Sequence, residues 1–190
     1  MTHHSEFRRQ YEKIDDTLYC FGQEVITRAY EHTQELFAKN KYYDQQFETM
    51  FRGRIGEMAV YQWLDDNRYS PISGPPLGAD LLIPDEHNRP QEIEVKTRSL
   101  HLPARPTDRV NVETRQVTSQ KNRAFIFACS WRIVPDELIA VRVCGWLHGH
   151  EITDVMELVE AGQLIGRHGK TAHKAMWTCT LNKLRPMETL

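Results

Sequence analysis

Residues Gly78–Lys96 read GADLLIPDEHNRPQEIEVK. Two short β-compatible runs, Ala79–Ile83 and Gln91–Lys96, flank Pro84–Pro90, a stretch dense in the Pro, Asp and Asn that favour chain reversal. The segment predicts a β-hairpin. Centring its turn on His87 sets Asp80 directly across from Glu94. Strand alternation then puts Glu92, Glu94 and Lys96 on one face, with Ile93 and Val95 on the other. Like charges opposed across two strands destabilise the pair unless something positive sits between them. A hard divalent cation would do so, since Mg2+ is held through one or two carboxylates while keeping several waters.

Working outward, residues 44–64 predict a helix with weak points at Gly53 and Gly56. Glu57 stacks there with Gly53, Val60, Tyr61 and Leu64, a lone carboxylate on a packing face that needs a partner. The glycines would let that face approach a sheet closely. Before it, Phe21, Val25, Ala29, Tyr30, Thr33, Leu36 and Phe37 form the stripe of an amphipathic helix over 21–39. After the hairpin come a polar, proline-containing stretch (97–111), a helix over 112–123, and strands over 124–130 (AFIFACS) and 138–146. A helix over 152–161, a basic loop and a last strand over 175–181 follow. This order predicts an α/β sandwich around a mixed sheet, with N-terminal helices and a C-terminal β/α/β elaboration. No repeat or linker interrupts the 190 residues, so a single domain, 1–190, is expected.

Lys and Arg number 24 against 26 Asp and Glu, a net charge of −2 that excludes a uniformly basic nucleic-acid coat and a strongly acidic tail. Hydrophobic residues at 40% and charged residues at 26% fit an ordinary globular chain. No apolar run approaches the ~20 residues of a membrane span, and MTHHSEFRRQYEKIDD lacks a signal-type apolar core, so no membrane partner is expected. Cys20, Cys129, Cys144 and Cys179 show no C-x-x-C spacing, which signals neither a zinc knuckle nor a disulfide framework and suggests a reducing cytoplasmic compartment. His148-Gly149-His150 lacks Cys or carboxylate partners at ligand spacing and reads as turn histidines. Neither a phosphate-cradling glycine loop in strand-helix context nor a G-x-S-x-G elbow is present.

The near-neutral total is unevenly divided. Lys96 to Arg132 carries a net +6 and residues 167–190 a net +4, whereas 1–66, 67–95 and 133–166 are each negative. A positive arm leaving a carboxylate site suits a phosphate backbone. Arg98, Arg105, Arg109, Arg115, Lys121 and Arg123 are the candidate nucleic-acid contacts. For the C-terminal cluster a solvated surface run is an equal reading.

Gly78, Ala79 and Asp80, then Glu94, Val95 and Lys96 on the following strand, preceded by Gly56 and Glu57 on a helix, resemble the PD-(D/E)xK nuclease superfamily, the restriction-endonuclease-like fold, over residues 44–130. Ala79 stands where the superfamily name puts a proline. The resemblance implies an αβββαβ core with a mixed central sheet and an Mg2+-dependent DNA endonuclease, with Mn2+ a substitute. It implies that Asp80, Glu94 and the main-chain carbonyl of Val95 bind the metal, helped by Glu57, and that Lys96 orients or activates the attacking water. It also implies a catalytic glutamine on the next helix, for which Gln116 fits best and Gln120 is the rival. Whether one metal binds or two is open, and double-strand cutting would call for a homodimer. Beside this stand a nuclease-derived DNA-binding or assembly module with an idle metal site, and a nuclease acting on RNA or junctions. A bland reading makes Glu92, Glu94 and Lys96 a solvated strand face, with Asp80 closing a turn and Glu57 paired to Arg54 or Arg52. The rival acids Asp85 and Glu86 lie in the turn and read as solvated.

Overall fold

The computed structural model describes residues 11–39, 47–74, 78–85, 87–133, 137–165 and 170–190. In chain order the elements are β1 (Tyr11–Lys13), β2 (Leu18–Phe21), α1 (Gln23–Lys39), α2 (Phe47–Asp66), β3 (Ile72–Ser73), β4 (Leu81–Pro84), β5 (Pro90–Ser99) and β6 (Arg109–Glu113). Then come α3 (Thr114–Ser119), β7 (Ala124–Ile133), β8 (Leu138–His148), α4 (Ile152–Val155), β9 (Glu157–Val159), β10 (Leu164–Ile165), β11 (Lys170–Thr171) and β12 (Met176–Thr180).

Seven strands form a mixed sheet in the order β1-β2-β8-β7-β5-β4-β3, with β5 and β7 parallel and the other pairs antiparallel. Parallel neighbours need a crossover, and β6 with α3 supply it. A smaller sheet, β6-β12-β9, and the β10-β11 hairpin complete the architecture. Alternation along the central strands builds two cores. Ile93 and Val95 of β5, with Ala124, Ile126 and Ala128 of β7, pack with α1 and α2. Phe125, Phe127 and Cys129 point the other way, into Val110, Val112, Val117, Ile152 and Cys179. Both β7 phenylalanines are fully buried, each stabilising the fold by about 1.5–3 kcal/mol.

The mixed sheet and the two large helices are as expected, but several boundaries move. β1 and β2 precede the helices, and Phe21, expected on the helical stripe, ends β2 opposite Ile139. The stretch over 97–111 is partly strand, because β5 runs on to Ser99 and β6 begins at Arg109. The helix expected over 112–123 shrinks to α3, since Val112 pairs with Trp177 in the small sheet. The helix expected over 152–161 stops at Val155: Met156 turns extended, and Glu157–Val159 joins β12. Residues 44–46 of the expected second helix and 166–169 of the basic loop lie outside the described residues. Among the described residues no helix is long and apolar enough to cross a membrane. All four cysteines are free.

Candidate active site

The hairpin pairs Leu81 with Ile93, Leu82 with Glu92, Ile83 with Gln91 and Pro84 with Pro90, a register centred on His87 as the sequence indicates. Asp85 belongs to the turn: Oδ1 accepts the backbone N–H groups of His87 (2.9 Å) and Arg89 (2.8 Å). The Arg89 N–H first, then the Arg89 side chain and the His87 N–H, hold the Asp85 carboxyl below its ordinary value against an opposing desolvation effect. Glu86 lies outside the described residues.

β4 pairs no further than Leu81, and Asp80 takes over from it. Asp80 Oδ2 accepts the backbone N–H of Val95 at 2.7 Å. Beyond that point β5 continues to Ser99 with β7 as its ladder partner. On the sheet face that carries Val95 and Thr97, α2 comes closest at Gly56, where an added Cβ would fall 1.7 Å from Thr97 Oγ1. Gly53 has nothing within 4 Å of such a Cβ, so of the two glycines only Gly56 serves close packing. That approach puts Glu57 in the field of Glu94 and Lys96. Glu57 also meets Arg54 Nη1 at 3.1 Å, the pairing the bland reading expects, yet its side chain is only 22% exposed.

Glu94 is the hub, buried at 6% exposure. Its Oε1 accepts Lys96 Nζ at 2.6 Å and Gln116 Nε2 at 3.5 Å, and its Oε2 accepts Arg123 Nη1 at 2.9 Å. Burial pushes the Asp80 carboxyl up to about 8, with the charges of Glu57 and Glu94 adding to the rise and the Val95 N–H and Lys96 opposing it. Burial likewise raises Glu57, with Arg54 opposing and Glu94 adding. The charge of Glu94 adds to the rise at both Asp80 and Glu57, a crowding that, in donor chemistry, a hard divalent cation would relieve. Among the described residues, however, no three His, Cys, Asp or Glu side chains are drawn together closely enough to hold a metal ion. The donor set fits Mg2+ in kind; Glu94 is engaged by internal cations.

A cleft of about 210 Å³ opens beside Lys96, lined by Thr49, Thr97, Arg98, Asn111, Glu113 and Gln116 among others. Gln116 therefore meets both Glu94 and the cleft, whereas Gln120 caps the end of α3 with a buried Oε1 that has no hydrogen-bond partner among the described residues. The candidate nucleic-acid contacts divide. Arg105, Arg115 and Lys121 are exposed. Arg98 donates to the Arg109 carbonyl, and Arg109 pairs with Glu157 and donates to Thr178 Oγ1 at 3.3 Å. Arg123 is turned inward onto Glu94 and Glu92. Charge counting gave no sign of that. The signal lay in its place one residue before the all-apolar run AFIFA, which the parallel pairing of Ile93 with Ala124 sets beside Glu94.

No family model matches the chain, and neither the curated proteins nor the solved structures contain a match to it.

Proposed function

We propose that this chain is a metal-dependent DNA endonuclease built on a restriction-endonuclease-like αβββαβ core. The carrying observation is that Glu57, Asp80, Glu94 and Lys96 lie within one another's electrostatic reach around β5, with Lys96 lining a cleft. The order α2, β3, β4, β5, α3, β7, with β6 of the smaller sheet inserted before α3, supports the core assignment. Glu57, Asp80, Glu94 and the Val95 carbonyl would hold Mg2+, or Mn2+ in its place. Bound there, the cation supplies a polarised phosphate and a water that deprotonates near neutral pH. Lys96 sets an ammonium where charge develops on the phosphoryl oxygens, and the Gln116 amide orients the attacking water. Arg105, Arg115 and Lys121 neutralise backbone phosphates. Four free cysteines suit the reducing cytoplasm.

The test is supercoiled plasmid incubated with Mg2+ and scored for nicked, linear and degraded products, with Lys96→Ala as control. Linear product from single encounters would mean two sites acting together, hence a homodimer; nicking alone would mean one. Retained cleavage in Lys96→Ala overturns the assignment.

One observation favours a second reading, a DNA-binding or assembly module on the same fold with an idle site: Lys96 and Arg123 between them engage both oxygens of Glu94. Calorimetric titration with Mg2+ and Mn2+ separates the two, since an idle module gives no saturable site.

A further inference from the structure

We infer that the chain holds a second binding site, for a small monocarboxylic acid with a compact apolar body, in a cavity between the N-terminal half of α2 and the carboxyl ends of β5 and β7. Those two strands form the parallel pair of the large sheet, and the carboxyl ends of parallel strands are where open α/β sheets take their ligands. The cavity holds about 340 Å³, at the lower end of the range for small-molecule sites. It shares no lining residue with the cleft beside Lys96. The site therefore stands without any metal and without the nuclease reading.

The floor of the cavity carries a hydroxyl proton that no protein group uses. Alternation along β7 sets Ser130 and Arg132 on the face of Ile126 and Ala128, the one that α2 covers. Ser130 pairs in register with Ser99, their hydroxyl oxygens lie 3.1 Å apart, and Ser130 is buried at 4% exposure. The two hydroxyls bring two protons, and their mutual bond uses one. Among the described residues no acceptor takes the other. A buried donor left without an acceptor is destabilising, and an acceptor oxygen entering the cavity relieves it.

Charge sets the class of that oxygen. Glu48 and Arg52 line the cavity but neutralise each other, Glu48 Oε1 accepting Arg52 Nε at 3.0 Å with Nη2 2.9 Å away. Arg132 and His101 line it too, and among the described residues neither side chain has a hydrogen-bond or ion-pair partner. One uncompensated guanidinium suits a single negative charge, in the planar form that a carboxylate presents. Phe51 and Ile55 of α2 and Ile139 of β8 supply apolar walls. The acid's body lies against these walls while its carboxylate takes Arg132, His101 and the serine proton.

The test is calorimetric titration of the full chain with acetate, isovalerate, benzoate, benzamide and inorganic phosphate, without added metal. It is repeated on Arg132→Gln and on the double variant Ser99→Ala with Ser130→Ala, each first melted without ligand. Isovalerate or benzoate should saturate one site per chain and bind more tightly than acetate, because the walls favour an apolar body. Benzamide has the body without the charge and should bind at least about 10-fold more weakly than benzoate. Arg132→Gln changes an exposed side chain, should keep the unliganded Tm, and should weaken benzoate binding about 10–100-fold. The serine double variant should weaken it about 3–10-fold. A cavity that merely holds solvent gives no saturable binding of any carboxylate in the millimolar range, which overturns the site. Unchanged benzoate affinity in Arg132→Gln, or in the serine variant where that folds, overturns it as well. Tighter binding of phosphate than of benzoate overturns the class of ligand.

Discussion

Asp80 Oδ2 receives the Val95 N–H at 2.7 Å, so a side chain rather than a strand carbonyl continues the hairpin past Leu81. The same carboxyl thus ends one strand, satisfies its neighbour and stands among Glu57, Glu94 and Lys96. Its protonation state consequently bears on folding as well as on chemistry.

Asp80 binds its proton more tightly in the folded chain, up to about 8 against an ordinary value of 3.8. The folded state therefore holds more protons than the unfolded one between those values, and this group's effect is to lower stability as pH rises across that window. With chelator present, the wild-type Tm should fall between pH 5 and pH 8.5. Asp80→Asn keeps an acceptor for Val95 and should flatten that fall, melting several degrees higher at the alkaline end. Parallel Tm curves for the two proteins would refute this.

Lys96→Ala should lower plasmid cleavage at least about 100-fold while DNA affinity, measured by anisotropy, stays near the wild-type value. Glu94→Ala should remove saturable Mg2+ binding as well. Equal loss of DNA affinity in Lys96→Ala would make the lysine a binding residue instead.

Gly56→Ala should destabilise by about 1–3 kcal/mol in denaturant titration, because its Cβ would collide with Thr97 Oγ1. That hydroxyl has no hydrogen-bond partner among the described residues. Adding Thr97→Ala should therefore recover part of the loss, a non-additive pair. Additive losses would mean that α2 and β5 do not meet there.

Replacing Arg105, Arg115 and Lys121 by Ala should weaken DNA binding regardless of sequence and reduce the slope of log affinity against log salt by roughly 0.9 for each phosphate no longer neutralised. An unchanged slope would place the DNA track elsewhere.

The hairpin was legible in the sequence because turn residues and alternation agree on one register; the observed ladder keeps that register but stops at Leu81 and Ile93, and Asp80 bonds the Val95 N–H instead of pairing with Glu94. Gly56 was legible as a small residue beside a lone carboxylate. β1 was not: YEK has no apolar alternation, and its strand state comes from pairing with β2. Phe21 satisfies a helical stripe and a strand equally well, and its pairing with β8 decides. Likewise Glu157–Val159 is strand because β12 lies beside it. Arg123 escaped for a related reason: a charge tally along the chain carries no direction, while the parallel β5–β7 register, set across a crossover, aims it at Glu94.

The half-open stretch of β5 has a consequence for how the chain behaves among its own copies. A strand edge that lacks a neighbour invites another chain to complete it, and proteins commonly guard such edges with charge. Lys96 and Arg98 lie on this stretch, which β4 leaves unpaired past Ile93. The ammonium proposed for phosphate chemistry would therefore also guard this edge against edge-to-edge association, and neutralising both cations should raise self-association.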